Sequence, residues 1–200
     1  MPFSFSTKGL VFMTAFSALF VLSSYLNLHL GFSPVPISME NFVVMLAGAI
    51  LGPVYGFGSI ALVIVLSVLG LPIMDGRGGF ALLTGPTGGF VWMFPVAAFL
   101  IGLVSRYVRG SRLWTTVALI AAAELFGSLL LYVTGVPWLA HVANYSFAKA
   151  MAAGCYPYLP GDAVKAVLAG LIAATVRQVF PLVRITGQAG YSGAETTISK

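Results

Sequence analysis

Long stretches of the chain are apolar and carry no charge. No Asp, Glu, Lys or Arg occurs from Gly9 to Met39, from Asn41 to Met74 or from Gly78 to Ser105. A helix that crosses the hydrocarbon core of a bilayer needs about 20 mainly apolar residues, and only helices and closed barrels satisfy their backbone polar groups there. These stretches lack the two-residue alternation of barrel strands. They therefore predict an all-α, polytopic integral membrane protein.

Six transmembrane helices fit this pattern. The second is too short for a perpendicular crossing and runs through Gly52 and Pro53 into the third, so these two are predicted to form a broken hairpin. The first segment could be a signal peptide, but it has no evident small-x-small cleavage site, which favours an uncleaved helix. The predicted spans are Lys8–Leu28, Glu40–Leu51, Val54–Leu69, Pro86–Tyr107, Leu113–Thr134 and Pro160–Phe180. Residues 1–185 are thus predicted to form a single transmembrane domain, and residues 186–200, which are polar, a flexible tail.

The composition excludes most soluble folds. Hydrophobic residues make up 59% of the 200 residues and charged residues only 8%, whereas an ordinary soluble domain has about a quarter charged. The mean hydropathy is +1.00, so apolar residues take the place of the missing charges. Cys155 is the single cysteine, which excludes an intrachain disulfide framework and a cysteine-based metal site.

The basic residues predict the orientation in the membrane. Arg106, Arg109 and Arg112 lie between the fourth and fifth spans, and such clusters mark the cytoplasmic side. Six crossings then place both termini in the cytoplasm. This topology and anionic lipid account for the pI near 9.6 without nucleic acid as a partner. The same topology gathers several ionisable residues near the external face: His29, Glu40, Asp75, His141, Asp162 and Lys165.

Two charged residues at the start of the sixth span are the main candidates for a substrate-binding site. Asp162 follows Pro160 and Gly161, can cap the helix, and precedes Lys165 by one turn on the same face. One interpretation is a helix cap and a lysine that reaches the interface. The other is a polar clamp on a ligand, because an ionisable group inside a membrane costs roughly 2.5–3.5 kcal/mol and is a functional candidate by default.

A glycine-rich stretch, GPTGGF at residues 85–90, is a second candidate. Pro86 suits the first turn of a helix, and the glycines around it leave backbone N–H groups accessible to a ligand. Close packing of helices through small residues explains the same stretch equally well. No GxxxxGK motif occurs anywhere, so the chain has no nucleotide-hydrolysing motif of its own.

Glu124, near the middle of the fifth span, is open to two interpretations. It could serve a proton or cation pathway, but the absence of a second acid or histidine at helical spacing favours a carboxyl held between helices. Small residues at four-residue spacing, Thr14 and Ala18 on the first span, suit close helix packing or a partner subunit. Trp138 and Tyr158 suit interfacial anchors or the wall of an apolar pocket.

Taken in order, these motifs closely resemble the BioY family, the biotin-specific substrate-binding (S) components of energy-coupling-factor (ECF) vitamin transporters. The resemblance extends from about Leu10 to Val183. Several matching blocks in the same order identify the family more specifically than any single block does. The resembling stretches are SPVPISMENF (33–42), LAGAILGPVYG (46–56), the LGLP, GPTGGF and FPVAAFLIG blocks within 69–102, GVPWLA (135–140) and YLPGDAVKAVLA (158–169).

The resemblance implies a six-helix subunit in the cell membrane of a prokaryote that captures biotin from outside. Such subunits work with a transmembrane coupling (T) subunit and paired cytoplasmic ATPase (A) subunits, and the binding role requires no cofactor, no metal and no enzymatic chemistry. Asp162 would accept hydrogen bonds from the ureido N–H groups of biotin, and Lys165 would be the counter-charge of its carboxylate. The resemblance also adds six secondary residues to the site: Ser38, Gly85, Thr87, Gly88, Trp138 and Tyr158.

The loop at residues 34–42 resembles the family's gating loop, with Pro34, Pro36 and Glu40 as its characteristic positions. The family loop usually reads P-V-P-I-T-x-Q, whereas this chain has Ser38 and Glu40 in place of Thr and Gln. The serine keeps the hydroxyl, but the glutamate adds a charge. The family's AxxxA partner motif is only approximated by Thr14 and Ala18.

Two other classes of protein are alternatives to this interpretation. A self-sufficient secondary transporter for biotin or a related vitamin would use Glu124 or Asp75 to couple transport to an ion. A membrane enzyme would need a reactive constellation, and no nucleophile, base and orienting acid occur in a recognisable context.

Overall fold

The chain is helical, as the apolar pattern predicts. The computed structural model describes residues 6–108 and 110–182, so that Arg109 and the predicted tail 186–200 lie outside the described residues. A small antiparallel pair of strands, β1 (Asn27–Leu28) and β2 (Ile37–Ser38), joins the first two helices. The helices are α1 (Thr7–Ser24), α2 (Glu40–Val68), α3 (Ala81–Thr84), α4 (Gly88–Val91), α5 (Phe94–Tyr107), α6 (Arg112–Glu124), α7 (Leu130–Val142), α8 (Phe147–Gly154) and α9 (Leu159–Val179), with a π-helical turn at Leu125–Leu129 between α6 and α7.

Five helical stretches in the described part of the chain are long and apolar enough to cross a membrane. This confirms the all-α, multi-pass class. The stretches are Thr7–Ser24, Glu40–Val68, Gly88–Tyr107, Arg112–Val142 and Leu159–Val179. The number of six crossings stays a prediction, and it depends on how α2 lies in the membrane.

Helix α2 is a broken hairpin, which confirms the expectation for its two halves. Gly52 leaves the helical conformation with φ 77° and ψ −174°, and Pro53 follows it. A Cβ on Gly56 would lie 3.0 Å from the Cα of Gly48, although residues eight apart in a straight helix are separated by about 12 Å. The chain therefore folds back on itself at Gly52.

Helix α5 packs across the break in α2. A Cβ on Gly102 would lie 2.4 Å from the carbonyl carbon of Gly52, so only a glycine admits this approach. The Ser105 hydroxyl donates to the carbonyl of Ala49 at 2.7 Å. Protein groups thus cover the irregular backbone, which is the condition for its stability inside a bilayer.

The fifth span is longer than the sequence pattern indicates. The helical stretch runs from Arg112 to Val142 and passes through Pro137, whereas the predicted end was Thr134. A Cβ on Gly135 would lie 2.3 Å from the ring of Phe90. Gly135 and Pro137 therefore mark a close contact with the α4 region and not the end of the helix.

Several other boundaries differ from the predicted ones. Helix α1 ends at Ser24, because residues 27–28 leave the helix to pair with β2. The fourth span is interrupted near Trp92, where α4 stops and α5 begins. Helix α9 begins at Leu159, one residue before the predicted start.

Small residues on α9 pack inside the bundle. Ala166 and Ala174 are buried, and a Cβ on Gly170 would lie 2.4 Å from the Ile120 side chain of α6. Thr14 and Ala18 of α1 instead lie on an exposed surface. The stripe on α9 is therefore explained by internal packing, and the one on α1 is available to lipid or a partner.

The two ends of the bundle differ in character. One end holds the break in α2, the start of α1 and the α5–α6 connection, and the basic residues Lys8, Arg106, Arg112 and Arg177 lie in helix turns on that side. The opposite end holds the strand pair, the loop at residues 69–80 and the start of α9. All the charged site candidates lie at this second end, apart from Glu124.

Candidate functional site

A cavity opens at the second end of the bundle. Its lining comes from the strand pair, the start of α2, the loop at residues 69–80 and helices α3 to α5, α7 and α9. The apolar wall includes Met74, Leu82, Phe90, Val91, Phe94 and Leu131.

The Asp162–Lys165 ion pair lies in this cavity. The Lys165 ammonium donates to Asp162 Oδ1 at 2.9 Å, to Asn41 Oδ1 at 3.0 Å and to the Ser38 carbonyl at 2.7 Å. The two charged side chains are only 9% and 11% exposed. Asn41 opens α2 and Ser38 ends β2, so the lysine ties the start of α9 to the loop before α2.

Asp162 does not cap α9, contrary to the expectation from the sequence. The helix begins three residues earlier at Leu159, and the Asp162 carboxylate turns into the protein. Its second oxygen accepts a short hydrogen bond from the Tyr132 hydroxyl of α7. Both oxygens are therefore held by cationic or hydroxyl donors.

Ser38 and Glu40 form a local turn at the cavity wall. The Ser38 hydroxyl accepts from the Glu40 backbone N–H at 2.9 Å and donates to the Glu40 carboxylate at 3.2 Å. Ser38 is paired with Asn27 in the strand register, and both line the cavity. The Oδ1 atom of Asn27 is buried and has no hydrogen-bond partner among the described residues, so it is a ready acceptor for a ligand N–H.

The proline loop is fixed by Tyr158. The Tyr158 hydroxyl donates to the Val35 carbonyl at 2.5 Å and lies 3.1 Å from Ser33 Oγ. The Ser33 hydroxyl donates to the Ala153 carbonyl of α8 at 2.6 Å. Burial raises the pKa of Tyr158, so its hydroxyl stays protonated as a donor. Pro36 and Tyr158 line the cavity, whereas Pro34 is exposed outside it.

The GPTGGF stretch contributes two lining residues, Thr87 and Phe90, and a packing contact. Gly85, Gly88 and Trp138 do not line the cavity. The Trp138 indole N–H donates to the Gly85 carbonyl at 2.9 Å, and a Cβ on Gly88 would lie 2.0 Å from the Leu83 carbonyl oxygen. These glycines allow the chain to pack closely behind the cavity wall.

Four polar lining residues were missing from the candidates drawn from sequence: Asn27, Asn41, Arg77 and Tyr132. Tyr132 and Asn41 contact the ion pair from helices distant in the chain, so no local pattern identifies them. Arg77 could have been found, because Asp-Gly is a strong turn signal and an arginine follows it immediately.

The two carboxylates suggested for ion coupling lie in different surroundings. Glu124 ends α6 just before the π-helical turn, and its Oε2 atom is buried without a hydrogen-bond partner among the described residues. It does not line the cavity. Asp75 lies in the outer loop, where its carboxylate is 3.0 Å from the Arg77 guanidinium.

An apolar cavity with a buried ion pair, at one end of a multi-pass helical bundle, defines a membrane-embedded binding protein for a small ligand. The sequence model of the BioY family matches residues 1–182. The chain belongs to this family.

Individual relatives agree with this assignment. A biotin transporter BioY of Rhizobium etli is 39% identical over 184 residues, which cover 88% of this chain and 97% of that protein. A biotin transporter BioY of Lactococcus lactis is 34% identical and covers 84% and 87% of the two chains. The crystal structure at 2.1 Å of the S-component for biotin from an ECF-type ABC transporter matches with a TM-score of 0.77 and 30% sequence identity. The match covers 86% of this chain and 91% of that chain.

Proposed function

We propose that this protein is the biotin-binding S component of an ECF-type transporter and that it takes up biotin from the external side of the membrane. The observation that carries the proposal is the buried Asp162–Lys165 pair in an apolar cavity, in a chain whose relatives are named biotin transporters. Their names and the family support binding and transport in preference to catalysis.

The chemistry of the cavity suits biotin. The planar ureido group of biotin needs hydrogen-bond acceptors for two N–H groups, and its ring and chain need apolar surroundings. Asp162 Oδ2 and the unpartnered Asn27 Oδ1 supply acceptors in the cavity lining. The apolar wall from Met74 to Leu131 supplies the surroundings.

The site residues proposed from sequence divide by position. Ser38, Thr87, Tyr158, Asp162 and Lys165 line the cavity, and we assign them to direct contact with biotin or to its immediate support. Gly85, Gly88 and Trp138 lie behind the wall and support its shape. Pro34, Pro36 and Glu40 belong to the loop that would open and close over the ligand.

We assign the source of energy to other subunits. A transmembrane coupling subunit and cytoplasmic ATPases would supply it in the plasma membrane of a prokaryote, with α1 and its exposed residues Thr14 and Ala18 facing the coupling subunit. The absence of a GxxxxGK motif from the whole sequence supports this division of labour.

A binding assay tests the ligand. Purified protein in detergent or nanodiscs is titrated with biotin, dethiobiotin and thiamine by calorimetry. We expect submicromolar affinity for biotin and at least about a hundredfold weaker binding of thiamine, a difference of about 2.7 kcal/mol. Equal affinities for biotin and thiamine would contradict the proposed ligand.

The unpartnered Glu124 oxygen favours a second candidate function, ion-coupled transport without other subunits. Uptake of labelled biotin in a host that lacks coupling subunits, with and without a proton uncoupler, separates the two. We expect uptake to depend on the coupling subunits and to be unaffected by Glu124→Gln. Uncoupler-sensitive uptake without those subunits, lost in Glu124→Gln, would support the second function instead.

A further inference from the structure

Four acidic or basic side chains line the cavity. In the described part of the chain they are Glu40, Arg77, Asp162 and Lys165, two acids and two bases. The carboxylate of biotin would bring a further negative charge to this lining, where Arg77 already contacts the Asp75 carboxylate at 3.0 Å. An ionised group removed from water has to be paired, and Arg77 and Lys165 are the two cations of the described lining that can pair with it.

Lys165 has no donor left for this purpose. An ammonium group has three N–H donors, and those of Lys165 are directed at Asp162, Asn41 and the Ser38 carbonyl, at 2.7–3.0 Å. A ligand carboxylate on Lys165 would displace one of these acceptors and lie beside the negative charge of Asp162. The geometry therefore assigns Lys165 to holding Asp162 and the loop before α2.

Arg77 has unused donors at the cavity wall. Its Nη2 atom is 3.0 Å from Asp75 Oδ2, and this is the only hydrogen bond of its side chain among the described residues. A guanidinium group has five N–H donors and binds carboxylates in a bidentate manner. The Arg77 side chain is 54% exposed, which places it at the mouth of the cavity.

The turn that carries Arg77 is anchored on both sides. Met74 and Arg77 exchange backbone hydrogen bonds of 3.3 and 2.8 Å across Asp75 and Gly76. The backbone N–H of Asp75 donates to the Ser24 hydroxyl at the end of α1, at 2.9 Å. Met74 is itself 2% exposed and lines the cavity. The turn thus holds the arginine in a fixed place beside the cavity.

We propose that Arg77 is the specificity-determining residue that binds the carboxylate of the ligand at the mouth of the cavity, while the Asp162 end receives the ureido group. This inference rests on the proposed function and deepens it. It predicts that the protein distinguishes biotin from its neutral amide through Arg77 and not through Lys165.

The test compares biotin with biotinamide, which keeps the ureido ring and lacks the negative charge. Dissociation constants for both are measured by calorimetry in nanodiscs for the wild type, Arg77→Gln, Lys165→Gln and Lys149→Gln. Lys149 is the matched control, because it lies on the predicted external side against the Tyr145 ring and does not line the cavity. Binding of biotinamide also reports whether each variant is folded.

We expect the wild type to prefer biotin over biotinamide by about tenfold or more, as for a bidentate charged pair. Arg77→Gln should weaken biotin binding by about tenfold and change biotinamide binding by less than about twofold. Lys165→Gln should weaken the binding of both ligands by the same factor, so that the ratio of their dissociation constants is kept. Lys149→Gln should change neither dissociation constant.

Two results would overturn this inference and leave the proposed function intact. In one, the Arg77→Gln protein keeps the wild-type ratio of the dissociation constants for biotinamide and biotin. In the other, the Lys165→Gln protein loses that ratio. A wild-type protein that fails to bind biotin would overturn the proposed function and this inference together. The two failures are therefore distinguishable in the same set of titrations.

Discussion

At the scale of single residues, Asp162 and Lys165 acquire their role from partners elsewhere in the chain. The sequence identifies the pair because charge is rare in apolar segments, yet the partners Asn41 and Tyr132 come from α2 and α7. A buried ion pair persists when its remaining donors and acceptors are satisfied. Here Tyr132 and Asn41 satisfy them.

We expect Asp162→Asn and Lys165→Ala each to weaken biotin binding by about tenfold or more, which corresponds to about 1.4 kcal/mol. Removal of one partner leaves the other charge buried and unpaired. Titration calorimetry measures the effect, and Lys149→Gln is the control because Lys149 does not line the cavity. Wild-type affinity in both folded variants would contradict a role of the pair in binding.

At the scale of elements, small residues at helix crossings determine how closely the helices approach. Gly102 of α5 lies against the break in α2, and Gly170 of α9 lies against α6. The repeated spacing of small residues predicts that close contacts exist. It does not predict which helix forms the other side, because many helices of the chain offer similar surfaces.

Gly102→Ala should lower the free energy of unfolding by about 1–3 kcal/mol, as overpacking does in a close-packed interior. Its Cβ would lie 2.4 Å from the Gly52 backbone. The measurement is thermal unfolding in detergent. The matched control is Gly161→Ala, also in a helix, where no atom lies within 4 Å of the added Cβ; it should be at least as stable as the wild type. An equal loss in both variants would contradict the packing argument.

At the scale of the whole molecule, the chain separates its charges between two ends. Lys8, Arg106 and Arg112 lie at the end with the break in α2, and the cavity opens at the other. The positive-inside rule orients the first end towards the cytoplasm. We therefore expect the cavity to face outside, as uptake of a ligand requires.

Labelling of single cysteines tests this orientation. In a Cys155→Ala background, Gly31→Cys should react with a membrane-impermeant maleimide in whole cells, and Ser111→Cys only after permeabilisation. Gly31 has no atom within 4 Å of an added Cβ and lies at the cavity end, whereas Ser111 precedes α6 at the opposite end. The reverse labelling pattern would contradict the orientation.

The exposed face of α1 is predicted to contact the coupling subunit. Ala18→Trp should leave biotin affinity unchanged and lower uptake with coupling subunits by about fivefold or more, a loss of about 1 kcal/mol. Val133→Trp is the control, since Val133 is 69% exposed on α7. If the two variants supported equal uptake, the coupling subunit would have to contact another face.

The sequence by itself determined the membrane class, the fold-back at Gly52 and the main polar pair, because each has a local cause. Apolar length sets the spans, glycine followed by proline breaks a helix, and rare charges stand out in apolar segments. Only the tertiary structure decided that the fifth span continues through Pro137, that all three N–H donors of Lys165 are in hydrogen bonds and that Arg77 borders the cavity. These features depend on contacts between residues far apart in the chain, and no local pattern encodes such contacts.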